Sequence, residues 1–288
     1  MKLSPIGQRR IQQFRRNTRG FVALWLFIAL FFVTLGAELI ANDKPIIVRY
    51  DGAFYYPVFK SYPETVFGGE FETEADYRDP YVQNLIDDKG WMVWPVVRYS
   101  YRTINYNLDQ PAPSPPSREN WLGTDDQGRD VLARLIYGFR ISILFGLVLT
   151  GLGSVVGVTV GAAGGYFGGL VDLLSQRFIE IWSGMPVFFL LIIMSSVIAP
   201  GFFTLLGLML LFSWMTLVDV VRAEFFKARN LDYIRAARAL GVATPVIMFR
   251  HALPNAMVAT LSMMPFVLTG SITTLAGLDF LGYVPASR

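Results

Sequence analysis

Apolar residues crowd into five stretches of this chain, and polar or charged residues gather in the blocks between them. The first, Phe21 to Ala41, has about 21 residues at ~1.5 Å each, enough to cross a bilayer core of about 30 Å. The pattern predicts further spans from Ile141 to Gly165, Ile181 to Ile198, Phe202 to Val221 and Asn255 to Leu278. Pro186 and Pro265 are expected to kink the third and fifth, and Pro200-Gly201 to end the third.

The polar blocks differ in kind. Residues 1–20 carry Lys2, Arg9, Arg10, Arg15, Arg16 and Arg19 and no acid. A secretory signal would need small residues at a cleavage site, but Leu35 and Leu39 stand there, so residues 21–41 read as a retained anchor with a cytoplasmic N-terminus. Residues 42–120 are rich in Tyr, Pro and acids, with alternating pieces around Ile46–Tyr50 and Trp94–Tyr99, and predict a small extracytoplasmic α+β or irregular insert. Gln110 to Pro116 reads as a stiff linker back to the membrane. The acids lack the spacing of a calcium loop and are read as solvated surface.

From residue 121 onward the pattern is that of a transmembrane domain, residues 121–288. Thr124 and Gln127 fit a capping box, with Asp125 and Asp126 in the first turn. Val131, Leu132, Leu135, Ile136 and Phe139 then fall on one face, which predicts a short amphipathic helix on the outer membrane surface. Gly153, Gly157, Gly161 and Gly165 are four apart and form one stripe for close helix packing, with the partner helix in this chain or in another subunit. Tyr166 to Glu180 reads as a short polar turn, and Asp219 and Arg222, three apart, as an ion pair.

Composition narrows the class. Of 288 residues 53% are hydrophobic and 16% charged, against roughly 25% charged in a soluble domain. The fold class is therefore an all-α integral membrane protein. A pI near 9.1 would suggest nucleic acid in a soluble protein, but basic clusters at the cytoplasmic ends of spans account for it, and no nucleic-acid partner is expected. There is no cysteine and one histidine, His251. That excludes Cys-based metal and nucleophile chemistry and leaves little for a His-based site, and no metal site and no catalytic residue are expected.

The block at residues 222–255 is the unusual one. Arg222, Lys227, Arg229, Arg235, Arg238 and Arg250 face only Glu224 and Asp232 there, and span counting puts it on the side of the basic N-terminus. Tyr233, Ala236, Ala237 and Leu240 are expected on one helical face, and Arg235 and Arg238 on another. Gly241 can end that helix in the left-handed conformation. Thr244 as cap and Pro245 as first residue predict a second short helix, broken by Pro254, with Asn255 capping the last span. The block thus reads as a bent pair of helices held out in water, built for a partner.

These residues carry a resemblance. Ala236-Ala237, then Gly241, then His251-Ala-Leu-Pro-Asn255 resemble the EAA loop of ABC importer permeases. Leu122-Gly-Thr-Asp-Asp-Gln-Gly-Arg-Asp-Val-Leu132, Tyr137-Gly-Phe-Arg-Ile-Ser142, Gly165-Tyr-Phe-Gly-Gly169 and Leu278-Asp-Phe-Leu-Gly282 resemble the peptide (oligopeptide, dipeptide, nickel) subgroup in order. The long insert is similar to that of microcin C/peptide importer permeases. The resemblance implies a type I ABC importer permease fold in the bacterial inner membrane, with a sixth span that this sequence lacks; the chain, on that reading, is truncated or altered at its end.

It also implies the partners: a second homologous permease, two ATP-binding subunits or a fused equivalent carrying ATP and Mg, a periplasmic substrate-binding protein, and a peptide substrate. The docking role passes to Arg235, Ala236, Ala237, Arg238, Leu240 and Gly241. Arg235 stands where the loop's glutamate is usual. No phosphate-binding loop exists in this chain, so no cofactor of its own and no ATPase activity are expected. An ion-gradient-driven transporter, a membrane hydrolase and an inactive fragment are the competing readings. The first needs charged groups at mid-membrane, which spans two, three and five lack.

Overall fold

The computed structural model describes residues 5–198 and 201–280. It divides into two compact units, residues 1–141 and 142–288.

The first unit begins with helices α1 (Pro5–Arg16), α2 (Thr18–Leu35) and α3 (Ala37–Ile40). Asn17 separates the first two, and its side chain accepts a hydrogen bond from Gly20 N–H at 3.2 Å. The insert then folds around a three-stranded antiparallel sheet of β1 (Ile47–Tyr50), β2 (Ala53–Tyr55) and β3 (Gly90–Val93), in the order β2-β1-β3. The helix α4 (Pro80–Asp87) is capped by Asp79, which accepts from Tyr81 N–H, and starts with proline, whose missing donor costs nothing there. The tyrosines make the core: Phe67 meets Tyr50, Tyr55 and Tyr77 edge-on at centroid distances of 5.6, 5.3 and 5.6 Å. The strand expected over residues 94–99 lies instead over Gly90–Val93, because Pro95 has no N–H to continue a ladder.

The linker and the acidic turn after it take a different form from the expected capping box. Thr124 exchanges hydrogen bonds with Ser114, N–H to O and N–H to Oγ1, both at 3.0 Å, and so pins the linker. The capping residue is Asp130, fully buried, which accepts from Ala133 N–H at 2.7 Å and from Asn120 Nδ2 at 2.8 Å. Helix α5 (Val131–Phe167) then runs 37 residues unbroken. Among the described residues no separate surface helix precedes it. Its polar side chains are engaged within the fold: Arg134 pairs with Asp125, and Arg140 grips both oxygens of Glu38 at 2.8 Å.

Asp125 is the centre of the turn, accepting from the backbone N–H groups of Gln127 and Arg129 and from the Arg129 guanidinium. Burial pushes its carboxyl up, and the N–H groups of Arg129, Gln127 and Arg134 more than offset this, leaving it below the ordinary aspartate value. A carboxyl depressed in the folded state stabilises above its unfolded pKa of about 4, and that contribution is lost as pH falls through the folded value. Acid titration followed by protease cleavage near residue 125 is expected to open the turn below about pH 4, and Asp125→Asn to remove that transition. An Asn variant with the parent's acid profile would assign the transition to another group.

In the second unit the turn after α5 is confined to Gly168 and Gly169, both at positive φ. Helix α6 (Gly169–Ser183) follows at once, so the expected polar turn over residues 166–180 is mostly helix, because no residue there stops one. Pro186 divides the expected third span, leaving α7 (Val187–Val197). Its 11 residues rise about 16 Å, short of a crossing. Pro200 lies outside the described residues, as do residues 281–288. Next come α8 (Phe202–Ser213) and α9 (Met215–Ala228), joined at Trp214 in helical conformation. After α10 (Asp232–Ala239) and α11 (Thr244–Val246), a π-helical turn, Ile247–Ala252, leads into α12 (Leu253–Phe280). Among the described residues four helical stretches are long and apolar enough to span: Thr18–Leu35, Val131–Phe167, Phe202–Ala228 and Thr244–Leu278.

Two expectations change here. Pro254 does not break the helix, because the wider π turn before it relieves the clash of its ring with the preceding turn. Arg222 pairs with Asp172 of α6 through Nε–Oδ1 and Nη2–Oδ2, and Asp219 lies exposed. Two parallel bonds to a carboxylate outweigh a single contact along the same helix.

Candidate functional site

Residues 229–255 fold into a knuckle. Leu231 precedes α10 in extended conformation, and the helix ends in a left-handed glycine, Gly241 at φ 78°. Gly241 N–H donates to Arg238 O at 3.0 Å and Val242 N–H to Ala237 O at 3.1 Å, which is the paired closure of a Schellman motif. The chain then reverses into α11.

The inward face of the knuckle is not the one its alanines suggest. Ile234 is fully buried, Ala237 half-buried, and both join Val242 and Ile247 in one apolar cluster. That cluster also takes Ala162 and Tyr166 from α5, Val221 and Phe225 from α9, Ala252 from the π-helical turn and Ala256 from the start of α12. Tyr233 Oη accepts from Asn255 Nδ2 at 2.7 Å, a second tie to α12. Asn255 therefore links the knuckle rather than capping a span. The sequence reading missed Ile234, whose only signal is that it is the one large aliphatic residue of the turn before Ala237.

The outward face carries Arg235, Ala236 and Leu240, with Leu240 83% exposed. Arg238, expected beside Arg235 on the docking face, lies with its Cζ 5.3 Å from the ring centroid of Tyr166, and so steadies α10 on α5. His251 engages through its backbone carbonyl, which accepts from Asn255 Nδ2 at 3.5 Å.

The glycine stripe meets a helix of this same chain. A Cβ at Gly153 would lie 2.9 Å from Ser213 Oγ, and at Gly157, Gly161 and Gly165 it would lie 2.4, 2.7 and 2.5 Å from the carbonyl oxygens of Trp214, Val218 and Arg222. Backbone on backbone is the closest approach two helices can make. Between α7, α8, α9 and α12 there is also a cavity of about 270 Å³, apolar apart from Ser213, Thr216, Ser271 and Thr274.

Comparison with known proteins bears on this geometry. Residues 153–286 match the family of binding-protein-dependent transport system inner membrane components. Over 282 residues the chain is 57% identical to the inner membrane ABC transporter permease protein YejE of Escherichia coli, covering 98% of this chain and 83% of the relative. The chain belongs to this family of ABC importer permeases. A peptidoglycan transport system permease protein of Agrobacterium fabrum is 55% identical, covering 97% of this chain and 80% of its own length. The oligopeptide transport system permease OppC of Bacillus subtilis is 36% identical over 191 residues, 66% of the permease described here and 61% of OppC.

The permease is thus a membrane subunit of transport. Its matched region takes in the whole stripe, the knuckle and α12. The Leu278–Gly282 motif runs out of the described residues after Phe280.

Proposed function

We propose that this permease is the translocation subunit of an ATP-driven importer of peptides or peptide-like compounds. On this reading it pairs with a second homologous permease, and two ATP-binding subunits or a fused equivalent, which carry ATP and Mg, dock on the knuckle. A periplasmic binding protein delivers the solute. The observation that carries the proposal is the two-sided build of residues 231–256. One side offers an exposed Leu240 and Arg235, and the other is sunk in a core shared by α5, α9 and α12. A push on the tip therefore moves three spanning helices as a body, which is how ATPase closure would switch the direction of access. The names of the relatives, peptide and peptidoglycan transport among them, support the substrate class. The basic residues of the N-terminus and of the knuckle support a cytoplasmic position for both.

The test is capture of the ATPase subunit by the tagged permease. Arg235→Glu with Leu240→Asp is expected to weaken capture by about tenfold or more, since both a charge and an apolar anchor are reversed. Arg238→Gln should instead lower the melting temperature of the permease, because its partner is Tyr166. Undiminished capture by the double variant removes the docking assignment. Because the chain has no cysteine, a cysteine placed at Arg9 reports orientation directly, and labelling from the periplasmic side would reverse the topology.

A further inference from the structure

The first unit holds a cleft of about 470 Å³ that the coupling role leaves unused, a size typical of small-ligand sites. Three arginines line it from separate segments: Arg78 before α4, Arg98 after β3, and Arg118 between the linker and α5. Arg78 lies 4.3 Å from the ring centroid of Tyr99, and Arg98 lies 5.5 Å from that of Trp94. Aromatic faces hold a guanidinium while leaving its N–H edges available. Among the described residues none of the three is in an ion pair. The one carboxylate lining the cleft, Glu119, accepts from Tyr99 Oη at 2.9 Å through one of its two oxygens. At the rim Trp121 is 54% exposed and Val96 66%.

We infer that this cleft binds a short peptide through its terminal carboxylate. Arginine forks match a carboxylate in two parallel bonds. Glu119 suits the amide N–H or ammonium of the same molecule and disfavours a dianion such as phosphate. The Trp121 and Val96 shelf takes an apolar side chain. The insert then carries its own solute site, apart from any binding protein. The choice of a peptide leans on the import reading above, and the donor set is read from the cleft alone.

The experiment is calorimetry on the full-length permease in nanodiscs, with the tripeptide Ala-Phe-Ala, its C-terminal amide, and inorganic phosphate. The acid form is expected to bind and the amide to bind about tenfold or more weakly, as the loss of charge-assisted hydrogen bonds entails. Arg98→Gln and Arg118→Gln should weaken the acid form to a similar degree, Arg118→Gln at an unchanged melting temperature, and Trp121→Ala should weaken both forms. Equal binding of acid and amide overturns the inference. So does binding unchanged by the arginine variants, tighter binding of phosphate, or no binding of the tripeptide. Variants that lose capture of a binding protein but still take the tripeptide would make the cleft a protein-docking surface instead. ATPase capture is read separately, so failure here leaves the coupling reading untouched.

Discussion

Replacing Gly157 with leucine is expected to leave no monodisperse permease on size-exclusion chromatography of the membrane extract. Its Cβ alone would sit 2.4 Å from Trp214 O and 3.3 Å from Leu217 Cβ. The first is a backbone atom of α9's entry and has no rotamer to yield. Ordinary contact begins near 3.5 Å, so α5 and α9 would have to part by about 1 Å along a face where every fourth residue is in the same state. Overpacking of this kind costs about 1–3 kcal/mol for a single added group, and leucine adds four. Gly157→Ala should therefore already lower the melting temperature, with leucine abolishing the fold. Gly151, on the same helix, has nothing within 4 Å of its would-be Cβ, and Gly151→Leu should run as the parent does. If the two leucine variants behave alike, the stripe is not a packing surface.

The second large effect is expected at Gly241, and it should separate folding from transport. Gly241→Pro fixes φ near −65° where the chain needs 78°, and it deletes the N–H that reaches Arg238 O. The bend would open and carry Leu240 and Arg235 away from their present position. The spanning helices end elsewhere, so the variant should still purify, while ATP-driven peptide uptake by the reconstituted complex falls to background. Gly241→Ala is the graded control. Nothing lies near its Cβ, so only the left-handed backbone resists it, at about 1–2 kcal/mol, and uptake should be reduced rather than lost. Parent-level uptake by the proline variant would show that the bend is dispensable.

What could be read from the chain beforehand followed the physics of each segment. Long apolar stretches announce themselves because a bilayer demands them, and Gly241 could be placed because few residues tolerate its conformation. The glycine period was visible, but its partner was not, since Trp214, Val218 and Arg222 contribute carbonyl oxygens, which every residue has. Likewise the cap was read at Thr124 and lies at Asp130. The choice between them was made by Asn120, Arg129 and Arg134, which are brought together only by the fold. Ile234 was hidden for a third reason. A face with a single large apolar residue has no periodicity, and its burial comes from α5, α9 and α12.

The Arg222–Asp172 pair has a further meaning beside that stripe. Glycines every four residues on α5 meet carbonyls about every four residues on α9, so the interface repeats itself with each helical turn. Sliding one helix past the other by a turn, about 5.4 Å, would again set glycine on carbonyl, and packing alone hardly distinguishes the two alignments. Asp172, three residues past the glycine bend at the end of α5, and Arg222, beside the last glycine of the row, act as the index mark. They make one setting of a self-similar scale the resting one.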